Sequence, residues 1–133
     1  MREDINGRRV LLVEDEEVSA KVVRKMLGTF GLDVDVARDG VSALELLGTW
    51  TYEMVFMDCH LPGIDGFEAT RALRASTGWA TPNDVAVLAL TADRRGADVA
   101  PCMAAGMNAH LSKPASLQTL AEAIDHWMPV RAI

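Results

Sequence analysis

Hydrophobic and polar positions alternate between two patterns along this 133-residue chain. Short runs, apolar at nearly every position, occupy Arg9–Val13, Met54–Met57 and Val85–Leu90. Runs of this length suit parallel strands buried on both faces. Between them apolar residues recur every three or four positions, first at Val18, Val22, Val23, Met26, Leu27 and Phe30, then at Val41, Leu44 and Leu47. That spacing predicts amphipathic helices with one face inward. Asp33–Ala37 alternates apolar and polar as an edge strand does. A short strand around Asn108–Leu111 precedes a last helix that turns Leu117, Leu120, Ala121, Ile124, Trp127 and Met128 inward.

Boundary residues agree with these periods. Gly31 stands where a glycine cap would close the first helix, and Asp39 is placed to cap the second. Pro101 falls within the predicted fourth helix, and it is tolerated there only in a first turn that Asp98 caps, so that helix should be short. Ser76–Asp84 is rich in turn formers and makes the longest loop, with Trp79 folded over the surface. Strand then helix, five times over, predicts an α/β domain: a parallel sheet with right-handed crossovers and helices on both faces. The expected domain runs over residues 9–130, with 1–8 a tail or linker and 131–133 a C-terminal tail.

Composition excludes several roles. A net charge of −6 gives no attraction to phosphate backbones or anionic lipid, so direct nucleic-acid or membrane partners are not expected. Cys59 and Cys102 are too few for a disulfide framework, lack zinc spacing and sit in apolar stretches, which suits reduced, buried thiols. There is no apolar run near the ~18 residues of a membrane span, and residues 1–8 are too polar for a secretory signal, so a cytoplasmic location is expected.

Sites in such folds gather at the carboxyl ends of the strands. Glu14, Asp15 and Glu16 follow the first strand, Asp58 the third, Thr91 the fourth and Lys113 the fifth. Carboxylates converging on one edge repel unless a cation joins them, and Mg²⁺ is the hard, oxygen-seeking cation that suits them. Asp15, Asp58 and a backbone carbonyl beside Asp58, offered by Cys59, would suffice from the protein. The second oxygen of Asp58 is then free to attack phosphorus. Mg²⁺, the Lys113 ammonium and the Thr91 hydroxyl would balance charge on the transferring group. Singly, each of these residues is an ordinary cap or surface group; their joint order along the chain carries the expectation.

At these residues the chain resembles the response-regulator receiver family, through LLVEDE at 11–16, MDCHLPGIDGFEATRALR at 57–74, LTA at 90–92 and AAGMNAHLSKP at 104–114. The resemblance implies a flavodoxin-like, doubly wound five-stranded sheet in the order 2-1-3-4-5 with five helices. It implies an acidic cluster of Glu14, acting indirectly on the metal, and Asp15, with Asp58 phosphorylated, Thr91 the switch hydroxyl and Lys113 the phosphate contact. Lys113-Pro114 resembles the family's cis peptide, Gly63–Gly66 its loop after the phosphoacceptor, and Gly106 the end of its fourth helix. The implied donor is a phosphohistidine on a histidine kinase or phosphotransfer protein, and the implied output is a changed surface on the fourth helix, fifth strand and fifth helix. DGFEATRALR is most similar to receivers of hybrid sensor histidine kinases, though a stand-alone regulator reads alike. The expected state is a monomer or a phosphorylation-dependent dimer. Self-catalysed phosphorylation makes such a domain only marginally an enzyme.

Departures from the family pattern are informative. His110 stands where the family usually has its rotating aromatic. His60 and Asp93, two residues beyond Asp58 and Thr91, hold positions that tune phosphoryl lifetime. An aspartyl-phosphate phosphohydrolase is the enzyme alternative, but its second Asp is replaced by His60. A pseudo-receiver that signals by binding alone would not need Asp15, Asp58, Thr91 and Lys113 together.

Overall fold

The structure, a computed structural model, describes residues 3–93 and 95–130. Five strands form one parallel sheet in the order β2-β1-β3-β4-β5, with β1 Arg9–Val13, β2 Asp33–Ala37, β3 Val55–Asp58, β4 Val87–Thr91 and β5 Ala109–Ser112. The helices are α1 Glu17–Gly28, α2 Gly40–Thr49, α3 Gly66–Ala75, α4 Val99–Ala105 and α5 Leu117–Trp127.

The continuous apolar runs serve two cores at once. Side chains alternate across a strand, so Leu11, Val13, Val55, Met57, Val87 and Ala89 face one way. They bury against Ala43 and Leu47 of α2, Ala69 and Leu73 of α3, and Cys102 of α4. Val10, Leu12, Phe56, Leu88 and Leu90 face the other way, against Val23 and Leu27 of α1 and Leu120 and Ile124 of α5. Trp79 packs, half-buried, on the first core.

Strands β3, β4 and β5 are offset by one or two residues from the hydrophobic runs, because ladder pairing sets their ends. Val85 closes a turn onto Pro82, and β4 begins at Val87, whose N–H is taken by the Asn108 side chain. Arg74 of α3 ties this lower edge together through the carbonyls of Asn83, Val85 and Gly106.

The expected tail at residues 1–8 is corrected over its described part. Glu3–Ile5 forms a 3₁₀ turn, Ile5 enters the core, and Gly7 N–H donates to Gly31 O. Arg8 is buried and makes a two-pronged pair with Glu53. Residues 131–133 lie outside the described residues. Asp39 caps α2 as expected, whereas α1 is closed by Thr29, with Gly31 at φ 85° two residues beyond. α4 is short at seven residues, with Pro101 in its first turn and Gly106 closing it in the left-handed region.

Candidate functional site

Parallel pairing sets Val13 beside Met57, Asp58 beside Leu90 and Thr91 beside Ser112. Glu14, Asp15, Asp58, Thr91 and Lys113 therefore share one sheet edge, although they come from four strands. Carboxylate oxygens of Glu14, Asp15 and Asp58 lie within 4.8 Å of one another. Lys113 spans two of them, its Nζ donating to Glu14 Oε1 at 2.6 Å and to Asp58 Oδ2 at 2.9 Å. Glu14 and Asp58 are buried, and Asp15 is exposed at the mouth. The Lys113-Pro114 bond is cis, as the resemblance implies.

Electrostatics follow from this packing. Burial pushes the Glu14 carboxyl up to about 7, the neighbouring Asp58 adds to the rise, and Lys113 opposes it. For Lys113, burial works against the charge, but hydrogen bonds to Glu14 and Asp58 outweigh it and hold the ammonium above its ordinary value. Two buried carboxylates against one ammonium leave an acidic excess. The donor set is all oxygen, closely spaced and open to solvent at Asp15, which fits a hard divalent cation such as Mg²⁺. The nearby thiols do not compete for it: Cys59 and Cys102 are buried with their sulfurs 3.7 Å apart, and burial raises both pKa values.

The raised Glu14 carboxyl carries a pH prediction. A native carboxyl that holds its proton more tightly than the unfolded chain favours folding when protonated, so its contribution falls as pH rises. In EDTA the urea midpoint is expected to drop between the ordinary 4.5 and about 7. The drop should be smaller in Glu14→Gln, and equal slopes in the two proteins would contradict the assignment.

Two expected roles, those of Cys59 and Asp98, are corrected, and Glu16 stands apart from the site. Glu16 does not join the acidic cluster: its carboxylate caps α1, accepting from the N–H groups of Val18 and Ser19. Cys59 does not offer its carbonyl to a cation at this site. His60 N–H points at Asp58 Oδ1 at 3.1 Å, and in a trans peptide the attached Cys59 carbonyl must point the opposite way, where it accepts Gly66 N–H. The same turn brings Gly66 so near the Asp58 carbonyl that a Cβ would collide with it. Asp98 holds the N-cap position of α4 without capping it. Its carboxylate instead accepts from Thr91 Oγ1 at 2.6 Å and contacts His60 Nε2 at 3.1 Å.

Asp93 turns its carboxylate into the loop before α4, accepting from the N–H groups of Arg95 and Asp98. His110 is exposed on β5, in a shallow apolar depression with Val99 and Met103. Sequence reasoning missed the partnership of Thr91 with Asp98, because an Asp before a helix reads as a cap. It also missed the apolar cleft beside the acids, about 350 Å³ in volume and lined by Val18, Val22, Leu90, Lys113 and Pro114.

Comparison with known proteins agrees with this geometry. The response regulator receiver domain matches residues 10–125, and the chain belongs to that family. It is thus a receiver domain of two-component signal transduction. Hybrid signal transduction histidine kinase B of Dictyostelium discoideum is 39% identical over 114 residues, covering 80% of this chain and 6% of that protein. The chain therefore spans a small part of the curated kinase it matches. A solved receiver domain of a sensor histidine kinase from Pseudomonas aeruginosa PAO1, with magnesium coordinated in its active-site cleft, superposes with a TM-score of 0.83 at 36% identity. That match covers 91% of this chain and 97% of the other. The receiver domain of Saccharomyces cerevisiae Ssk1, solved with the histidine phosphotransfer protein Ypd1, superposes with a TM-score of 0.78 at 26% identity, covering 93% of this chain and 90% of that one.

Proposed function

We propose that this receiver accepts a phosphoryl group from a phosphohistidine onto Asp58. The observation that carries the proposal is the Lys113 ammonium bridging Asp58 and Glu14 beside the three-carboxylate cluster. Asp15 and Asp58 would hold Mg²⁺, with Glu14 acting indirectly. With the Cys59 carbonyl turned away, we assign the backbone ligand to His60, one peptide further on. Mg²⁺, when bound, supplies positive charge against the transferring group.

The chain's own residues do the rest. An Asp58 carboxylate oxygen forms the new bond to phosphorus as the bond from phosphorus to the donor histidine nitrogen breaks, the nitrogen leaving with the electron pair. Lys113, held by Glu14, shifts from Asp58 to a phosphoryl oxygen, and the Thr91 hydroxyl supplies a second donor. His110 occupies the place of the rotating aromatic on β5.

A donor protein must bring its imidazole to Asp58, and the surface beside the site is built for contact. Val18 and Val22, which the helical spacing put on the inward face of α1, are instead 66% and 47% exposed and line the cleft at Lys113 and Pro114. Exposed apolar groups beside a polar site suit a helical docking partner. The likeness to the phosphotransfer-bound Ssk1 receiver supports such a partner, and the hybrid-kinase relatives support a place in a longer kinase. Among the described residues no helix is long and apolar enough to cross a membrane.

Intact-mass analysis after incubation with acetyl phosphate tests the proposal. One added phosphoryl group with Mg²⁺, and none in EDTA, is the expected result. An unchanged mass with no phosphate released would overturn it in favour of a receiver that signals by binding alone.

A further inference from the structure

We infer that Asp98 is a positioning residue that holds the Thr91 hydroxyl away from the phosphoacceptor in the unphosphorylated domain, so that switching requires this bond to be given up. The inference rests on the assignment of Asp58 and Thr91 above. A threonine hydroxyl has one proton to donate, and a carboxylate can only accept. Thr91 donates that proton to Asp98 Oδ2 at 2.6 Å, while its oxygen accepts the Asp93 N–H at 3.0 Å. With its proton committed, the hydroxyl cannot also donate to a phosphoryl oxygen on Asp58. The two bonds exclude each other.

Asp98 is well fixed for this task. It is 8% exposed, its own N–H is held by Asp93, and His60 reaches its carboxylate from the loop that follows Asp58. Short bonds to a charged acceptor in a buried setting are among the stronger ones. Asp98 also opens α4 without capping it. Releasing Thr91 therefore alters the anchoring of this helix, whose Val99 and Met103 are exposed. A proton moved from one acceptor to another on Thr91 is thereby coupled to the α4 surface, a differential contact of the kind that shifts a two-state equilibrium.

Two measurements on the full chain test this. In ligand-free protein, three-bond couplings to the Thr91 methyl carbon should report a single χ1 rotamer in wild type and averaging in Asp98→Ala, with Asp98→Asn retaining the single rotamer. Beryllofluoride with Mg²⁺, a phosphoryl mimic, should bind Asp98→Ala about tenfold more tightly than wild type, the scale of one charged hydrogen bond lost from the resting state. The gain should vanish in a Thr91→Val background. A merely structural Asp98 would give the same change with or without the hydroxyl, which would overturn the inference. So would an averaging Thr91 in wild type. A locked Thr91 that Asp98→Ala frees, in a protein that binds no beryllofluoride, would uphold the restraint and overturn the assignment of Asp58 instead.

Discussion

Asp58→Asn protein incubated with acetyl phosphate and Mg²⁺ is expected to gain no phosphoryl group under conditions in which wild type gains one. The amide keeps the shape of the side chain but lacks the anionic oxygen that attacks phosphorus. The same change should act on stability in the opposite direction. In wild type, Glu14 and Asp58 share one ammonium, and Asp58 helps drive the Glu14 carboxyl up to about 7. Removing one of two buried like charges leaves a balanced pair. Metal-free Asp58→Asn should therefore be more stable than wild type above that pH, by about 1 kcal/mol. Added Mg²⁺ should raise the midpoint of wild type well above its effect on the variant, since a ligand stabilises only the state that binds it. Urea titrations with EDTA and with Mg²⁺ check both points, and phosphorylation of the Asp58→Asn variant would remove Asp58 from its role.

Lys113→Met is expected to slow phosphorylation by acetyl phosphate about 100-fold, the scale of losing one group that stabilises charge in the transition state. It should also destabilise the metal-free fold, because Glu14 and Asp58 stay buried while their common cation is gone. Breaking a fully buried pair costs about 3–5 kcal/mol. The Lys113 side chain is 23% exposed, which lets water share the load, so about 2–3 kcal/mol is expected above pH 7. The penalty should shrink as pH falls and Glu14 takes up its proton, and Mg²⁺ should restore part of it by standing in as the missing charge. Rates within twofold of wild type, or an unchanged midpoint in EDTA, would show that Lys113 does not hold the cluster.

Both expectations concern residues that could be picked out along the chain. The apolar runs at Leu11–Val13 and Val87–Leu90 require strands covered on both faces, and that requirement fixes helices on both sides and a parallel sheet. A parallel sheet in turn gathers whatever follows its strands on one edge, so Glu14, Asp15, Asp58, Thr91 and Lys113 could be grouped without coordinates. Resemblance to receivers supplied the strand order and the cis bond before Pro114, which periodicity does not encode.

What one-dimensional spacing does not carry is the direction of a peptide plane or the choice among several partners. The Cys59 carbonyl stands next to Asp58 in sequence, yet the His60 N–H bond turns it away from the acids. Glu16 stands next to Asp15, yet its carboxylate finds two backbone N–H groups of α1 and stays there. Asp98 has the sequence of a helix cap, but the loop between β4 and α4 folds back to offer it the Thr91 hydroxyl, a partner seven residues away. Residues 3–8 are polar enough to pass for a tail until Ile5 and Arg8 are seen buried. The sequence by itself determined the fold class and which side chains meet at the strand ends, because burial periodicity and strand polarity are local properties. Only the tertiary structure decided which way each donor and acceptor points, because hydrogen bonds are directional and their partners are chosen among neighbours that the completed fold brings together.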